Sequence, residues 1–145
     1  MIRRFGPPPQ RGRHYRRRMG VYAIVMRDGQ VLLTHQAAPV PEYQLPGGGV
    51  EVAESPLRAL YREVWEETGW IIGAPRRLGA FRRYAYMPEY DLWAEKLCII
   101  YRVVPVRARA APVEPGHRAV WLPTAAAAAC LGNEGDRAFL RAQAG

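Results

Sequence analysis

Residues 47–70 read Gly-Gly-Gly-Val-Glu-Val-Ala-Glu-Ser-Pro-Leu-Arg-Ala-Leu-Tyr-Arg-Glu-Val-Trp-Glu-Glu-Thr-Gly-Trp. Ser55 suits an N-cap, Pro56 suits the first helical position and Gly69 suits a stop, so this spacing predicts a helix over 56–68. At about 100° per residue, Leu57, Leu60, Tyr61, Val64 and Trp65 share one broad apolar face. Glu63, Glu66 and Glu67 fall within roughly a 100° arc beside it. Three like charges so close repel, and the helix dipole disfavours anions at a C-terminal end. Two explanations stand. One is a solvated acidic face relieved by Arg58 and Arg62. The other is a divalent cation held by hard oxygen ligands on a rigid helix. Gly47, Gly48 and Gly49 favour the cation, because they let the backbone approach closely and offer a carbonyl as a further ligand.

Upstream, Val21–Met26 and Val31–Thr34 flank Arg27-Asp28-Gly29-Gln30, the signature of a β-hairpin. Residues 37–49 carry Pro39, Pro41, Pro46 and the three glycines, and read as a loop interrupted by a short strand at Tyr43-Gln44-Leu45. Downstream, extended segments are expected around 78–86, 96–106 and 119–122. Two short helices follow, opened by Thr124 and Asn133.

The chain has 145 residues, 49% hydrophobic and 23% charged. That suits one compact domain with a real core. No apolar run approaches the roughly 20 residues of a membrane span. The formal net charge is +8, but it is unevenly placed. Residues 1–19 hold Arg3, Arg4, Arg11, Arg13, Arg16, Arg17 and Arg18 and no acid, so the remainder is close to neutral. The expected organisation is a basic, flexible arm over 1–18 ahead of a domain over 19–145, with the sheet starting at Val21. A poorly ordered, solubilising terminus is the plain account of the arm. Contact with RNA or a polyphosphate is the functional one. The arm lacks the apolar stretch of a secretory signal, and Cys98 and Cys130 read as buried small hydrophobes, so a cytoplasmic protein is expected.

Scarcity excludes several chemistries. Ser55 is the only serine and Lys96 the only lysine, leaving neither a nucleophile elbow nor a P-loop. His14, His35 and His117 fit no zinc spacing. Polar chemistry must come mainly from carboxylates and arginines.

Gly48, five residues, Glu54, seven residues, then Arg62-Glu63-Val64-Trp65-Glu66-Glu67-Thr68-Gly69-Trp70 resembles the Nudix box of the MutT-like hydrolases. Every fixed polar and glycine position agrees; Trp70 alone departs, where an aliphatic residue is usual. The hairpin, the Leu45-Pro46-Gly47-Gly48 lead-in and the closing Trp121 extend the resemblance over roughly residues 19–143. It implies an α/β fold, the Nudix α/β/α sandwich with a mixed β-sheet. It also implies a metal-dependent pyrophosphohydrolase that cleaves the diphosphate linkage of a nucleoside diphosphate derivative by attack of water on phosphorus.

Carried over residue by residue, Glu63, Glu66 and Glu67 would hold Mg²⁺ or Mn²⁺, with the Gly48 carbonyl as a further ligand. Arg62 would orient the catalytic carboxylates by pairing with Glu54, which with Gly69 is structural in the motif. Glu63 is the first choice for general base. Glu114, in the loop before the last strand, is the second, with an ordinary loop acid as its plain account. The aromatics of 84–93 suit base stacking or, on the plain account, a dimer contact or a small local core; Glu95 is a further candidate outer carboxylate, and at most one of Arg82 and Arg83 faces the site. The resemblance also brings homodimers into view. The sequence names no substrate-binding residue. The alternative function is a nucleotide- or RNA-binding regulatory protein of the same fold with little turnover. The intact acids count against it. A nucleic-acid-binding module driven by the arm lacks a basic face on its body.

Overall fold

The computed structural model describes residues 2–38, 40–109 and 115–143. The expected hairpin forms from β2 (Arg16–Arg27) and β3 (Gln30–Gln36). Asp28 and Gly29 join them with φ of 52° and 75°, the left-handed pair that a tight two-residue turn between twisted strands requires. Along β2 the side chains alternate between two cores. Val21, Ala23 and Val25 enter one, and Tyr22 and Ile24 enter the other. A strand buried on both faces reads as a continuous apolar run, as this one does.

The remaining strands build a mixed sheet around that hairpin. They are β1 (Arg3–Arg4), β4 (Glu42–Gln44), β5 (Gly47–Gly49), β6 (Trp70–Met87), β7 (Leu92–Ala108) and β8 (His117–Pro123). The order is β1-β6-β7-β2-β3-β4, with β5 on β2 and β8 on β3. β1 with β6 and β2 with β7 are parallel; the other pairs are antiparallel. Helix α1 (Pro56–Thr68) covers one face through Ala59, Leu60 and Val64. Helices α2 (Thr124–Cys130) and α3 (Glu134–Gln143) cover the other through Ala127, Ala128 and Leu140. The result is the α/β/α sandwich that the box resemblance implies. Among the described residues no helix is long and apolar enough to cross a membrane.

Four expectations change. Glycines 47–49 form a strand, β5, rather than a loop. The buried stripe of α1 is Ala59, Leu60, Val64, Glu67 and Thr68, while Leu57, Tyr61 and Trp65 are 44%, 38% and 38% exposed. The helix is rotated toward its acids because Glu67 is drawn into the glycine strand and the small Ala59 permits close approach. Cys98 is buried as expected but Cys130 is exposed. Finally, β2 begins at Arg16, not Val21, and the residues ahead of it lie along the sheet. β1 pairs with β6, the Phe5 N–H donates to the Arg82 carbonyl at 2.9 Å, and the Phe5 ring packs edge-on against Phe81 at 5.5 Å.

This docking gives the arm a stability role. Phe5→Ala should lower the free energy of unfolding by about 1–3 kcal/mol, the range for losing a partly buried aromatic ring. A urea midpoint equal to that of the unaltered chain would show that the segment is not packed.

Candidate active site

The site starts where β5 meets the C-terminal half of α1. β5 pairs with β2 in the register Gly20↔Gly49, Val21↔Gly48 and Tyr22↔Gly47. A side chain on Gly47 would place its Cβ 2.0 Å from the Val21 carbonyl oxygen, and one on Gly48 would fall 2.6 Å from the Glu63 carboxylate. At Gly47 only glycine admits this approach, and at Gly48 a side chain would push the Glu63 carboxylate away. Bare backbone therefore lies directly against a helical acid. The Gly47 N–H donates to Glu67 Oε1 at 3.1 Å, which fixes a carboxylate that is 5% exposed.

Helix α1 presents its acids by sound local construction. Ser55 Oγ accepts from the Arg58 N–H at 3.2 Å, and Gly69, with φ of 74°, closes the other end by donating its N–H to the Trp65 carbonyl at 2.8 Å. Arg62, about two turns from that end, gathers Glu54, Glu63 and Glu66 around one guanidinium. It donates to Glu54 Oε2 at 2.7 Å and Oε1 at 2.8 Å, to Glu63 Oε1 at 2.9 Å, to Glu66 Oε2 at 3.3 Å and to the Gly49 carbonyl at 3.2 Å. The bidentate pairing with Glu54 is the strongest arrangement a guanidinium makes. Hydrogen bonds from Arg62, followed by the Glu51 N–H, hold the Glu54 carboxyl down at about 2, and Glu54 in turn raises Arg62 above its ordinary value.

The structure thus brings Gly48, Glu54, Arg62, Glu63, Glu66 and Glu67 together, with Gly69 ending their helix. Glu114 lies outside the described residues. The donor set suits a hard divalent cation: three carboxylates and a glycine carbonyl, with one arginine shared by two of the acids. Among the described residues no three such side chains already converge on one point. Arg62 draws Glu63 and Glu66 aside, and the Gly47 N–H holds Glu67.

Glu63, Glu67 and the glycine strand form one end of a cleft of about 980 Å³. Its other walls include residues that sequence reasoning missed. Lys96 projects from β7, Asn133 and Asp136 stand at the start of α3, and Arg16 and Arg18 come from the first residues of β2. The sequence did hold a signal for Lys96, the chain's only lysine, at the edge of an apolar run. Asp136 is 4% exposed, and burial pushes its carboxyl up to about 7. Arg83 lines the cleft, whereas Arg82 turns to a separate recess of about 280 Å³ lined also by Glu95. Glu95 accepts from Arg17 at 2.8 Å and Tyr84 at 2.9 Å, which makes it an anchor for β2 rather than an outer carboxylate of this site. The aromatics of 84–93 hold residues 13–18. Tyr15 packs on Tyr84 and Trp93, Arg13 lies 3.6 Å over Trp93, and Arg18 lies 4.5 Å over Tyr90. Tyr86 and Tyr90 also face the cleft.

A family model described as NUDIX domain matches residues 14–143. A Bacillus subtilis (strain 168) protein with the provisional name 8-oxo-dGTP diphosphatase is 34% identical over 74 residues, 51% of this chain and 50% of that protein. An RNA pyrophosphohydrolase from Halorhodospira halophila is 47% identical over 57 residues, 39% of this chain and 31% of that protein. The chain thus spans half or less of the length of these relatives. Among solved structures, a MutT protein from Bacillus halodurans superposes with a TM-score of 0.71 at 22% identity, covering 86% of this chain and 80% of that one. A MutT NUDIX hydrolase from Burkholderia pseudomallei gives 0.68 at 24% identity, covering 87% and 97%. These two likenesses show the fold.

The Glu54–Arg62 pair makes a prediction about pH. A carboxyl held at about 2 when folded, against an ordinary 4.5, adds stability that is complete above 4.5 and is lost as pH falls toward 2. Urea midpoints should therefore fall through that window, and less steeply in Glu54→Gln. Identical slopes in the two proteins would show that the pair does not carry the effect.

Proposed function

The chain belongs to the NUDIX family, and from that membership we propose that it is a metal-dependent pyrophosphohydrolase of nucleotide-type substrates. One observation carries the reading. Glu63 and Glu67 on one helix lie against the backbone of Gly48 and Gly47 and line a cleft large enough for a nucleotide, and Arg62 holds Glu66 beside Glu63. Glu63, Glu66 and Glu67, with the Gly48 carbonyl, would hold Mg²⁺ or Mn²⁺. When bound, such an ion neutralises diphosphate oxygens and makes a water acidic enough to attack phosphorus.

The chain's own residues do the rest. Arg62 orients Glu63 by holding Oε1, with the carboxylate lying against Gly48 in the cleft wall. That carboxylate would take the proton of the attacking water. Glu54 positions Arg62 and does not touch the reacting atoms. Tyr86 and Tyr90 offer apolar faces on which a nucleobase can stack. Relatives named RNA pyrophosphohydrolase, together with Arg16 and Arg18 in the cleft wall, favour a 5′-phosphorylated RNA end as a second substrate class. A binding protein without turnover has no reason to keep three mutually repelling acids at the end of a helix.

Hydrolysis should stop in excess EDTA and return with Mg²⁺ or Mn²⁺. Glu67→Gln should remain folded, because its amide oxygen can still accept from Gly47, yet lose most of the rate. If Glu63 is the base, Glu63→Gln lowers turnover by about 10²–10⁴-fold and also weakens Mn²⁺ binding, while Glu114→Gln stays within a few-fold of the unaltered chain. The reverse pattern assigns the proton transfer to Glu114. Activity in EDTA, or full activity of Glu67→Gln, contradicts the proposal.

A further inference from the structure

The cleft carries a row of positive charge that chemistry at its acid end does not use. Arg18 on β2, Lys96 on β7 and Arg83 on β6 are register neighbours across three adjacent strands. Strand alternation places neighbours in register on one face, and all three line the cleft. Like charges directly opposite one another on a sheet are destabilising. None of the three makes a hydrogen bond or ion pair among the described residues; Arg18 has only the Tyr90 ring beneath it.

Nearby acids relieve this charge incompletely. Glu89 and Asp136 are the carboxyls that act on Lys96, and burial followed by the Arg83 charge lowers its ammonium below the ordinary value. Asp136 is buried with its carboxyl raised to about 7, so its charge is only partly available near neutral pH. Three cations in a concave wall with so little compensation attract an anion carrying more than one charge. Two guanidiniums present planar forks and the lysine a point charge, which together match phosphate oxygens.

We propose that Arg18, Lys96 and Arg83 form a phosphate subsite, which takes a phosphate group of a polyphosphate chain. That this group lies beyond the diphosphate held at the acid end rests on the hydrolytic reading above; the binding itself does not. A free nucleoside polyphosphate and the 5′ end of an RNA share this chemistry.

The test is the affinity of inorganic tripolyphosphate, measured calorimetrically in EDTA on the full chain. Lys96→Met and Arg83→Met should each weaken binding by about tenfold or more, the usual worth of a charge-assisted hydrogen bond. Lys96→Arg should restore most of it, and Arg76→Met, exposed elsewhere on β6, should change nothing. If Lys96→Met does not fold, Lys96→Gln and Arg83→Met carry the comparison. The same variants are then tried with a nucleoside triphosphate and with a 5′-triphosphorylated oligoribonucleotide, and the ligand whose affinity falls identifies the natural source. Tripolyphosphate affinity unchanged in Lys96→Met and Arg83→Met overturns the subsite, as does a loss seen only with an unphosphorylated nucleoside. Binding through these residues in a protein that hydrolyses nothing would overturn the hydrolytic reading and leave the subsite standing.

Discussion

One guanidinium sets the arrangement of the whole acidic end. Arg62 contacts Glu54, Glu63, Glu66 and the Gly49 carbonyl at once, joining the loop before α1, the helix itself and the glycine strand. Acids at the C-terminal end of a helix oppose the dipole and one another. Here an arginine one turn earlier offsets part of that cost, and the Gly47 N–H offsets more at Glu67. Both partners are donors that cannot leave, so the carboxylates are held close together without collapsing against apolar neighbours. A divalent cation would have to draw Glu63 and Glu66 partly away from Arg62. Binding of such a cation would therefore compete with ion pairs already present.

The sheet does the positioning. Parallel pairing of β2 with β7 brings residues 16–25 alongside 94–103, so Arg18 stands next to Lys96. Antiparallel pairing of the same β2 with β5 seats the glycines against Val21. A single strand thus links the acid end of the cleft to its basic wall. The arm completes that strand, and the aromatic cluster of Tyr15, Tyr84 and Trp93 fixes where it begins.

What was legible in the sequence is what is local. The turn at Asp28-Gly29, the Ser55 cap, the Gly69 stop and the spacing from Gly48 to Gly69 each depend on residues a few positions apart, and each is found where the pattern puts it. The partnership of Arg62 with Glu54 is also short-range, across two turns of chain. The rotation of α1 was not legible, because the apolar pattern favours Leu57, Tyr61 and Trp65 over Ala59, Glu67 and Thr68, the small and polar residues that take their place inside. Only the demand of Gly47 for Glu67 decides which stripe faces inward. Nor could the arm be read as docked. The Arg17–Glu95 contact spans 78 positions, and Arg-rich sequence with little apolar content reads as solvated. Lys96 and Asp136 were missed for the same reason, since different elements bring them together, whereas strand alternation already allowed only one of Arg82 and Arg83 to face the site.

The central claim is that the acidic end directs water onto phosphorus of a diphosphate. Its most direct measurement is hydrolysis of a panel of nucleoside diphosphate derivatives in ¹⁸O-water with Mg²⁺ or Mn²⁺, the products being weighed by mass spectrometry. The account predicts cleavage within the diphosphate linkage and the heavy oxygen in one phosphoryl product. No cleavage of any such compound with either metal, or label found only on carbon, would contradict it.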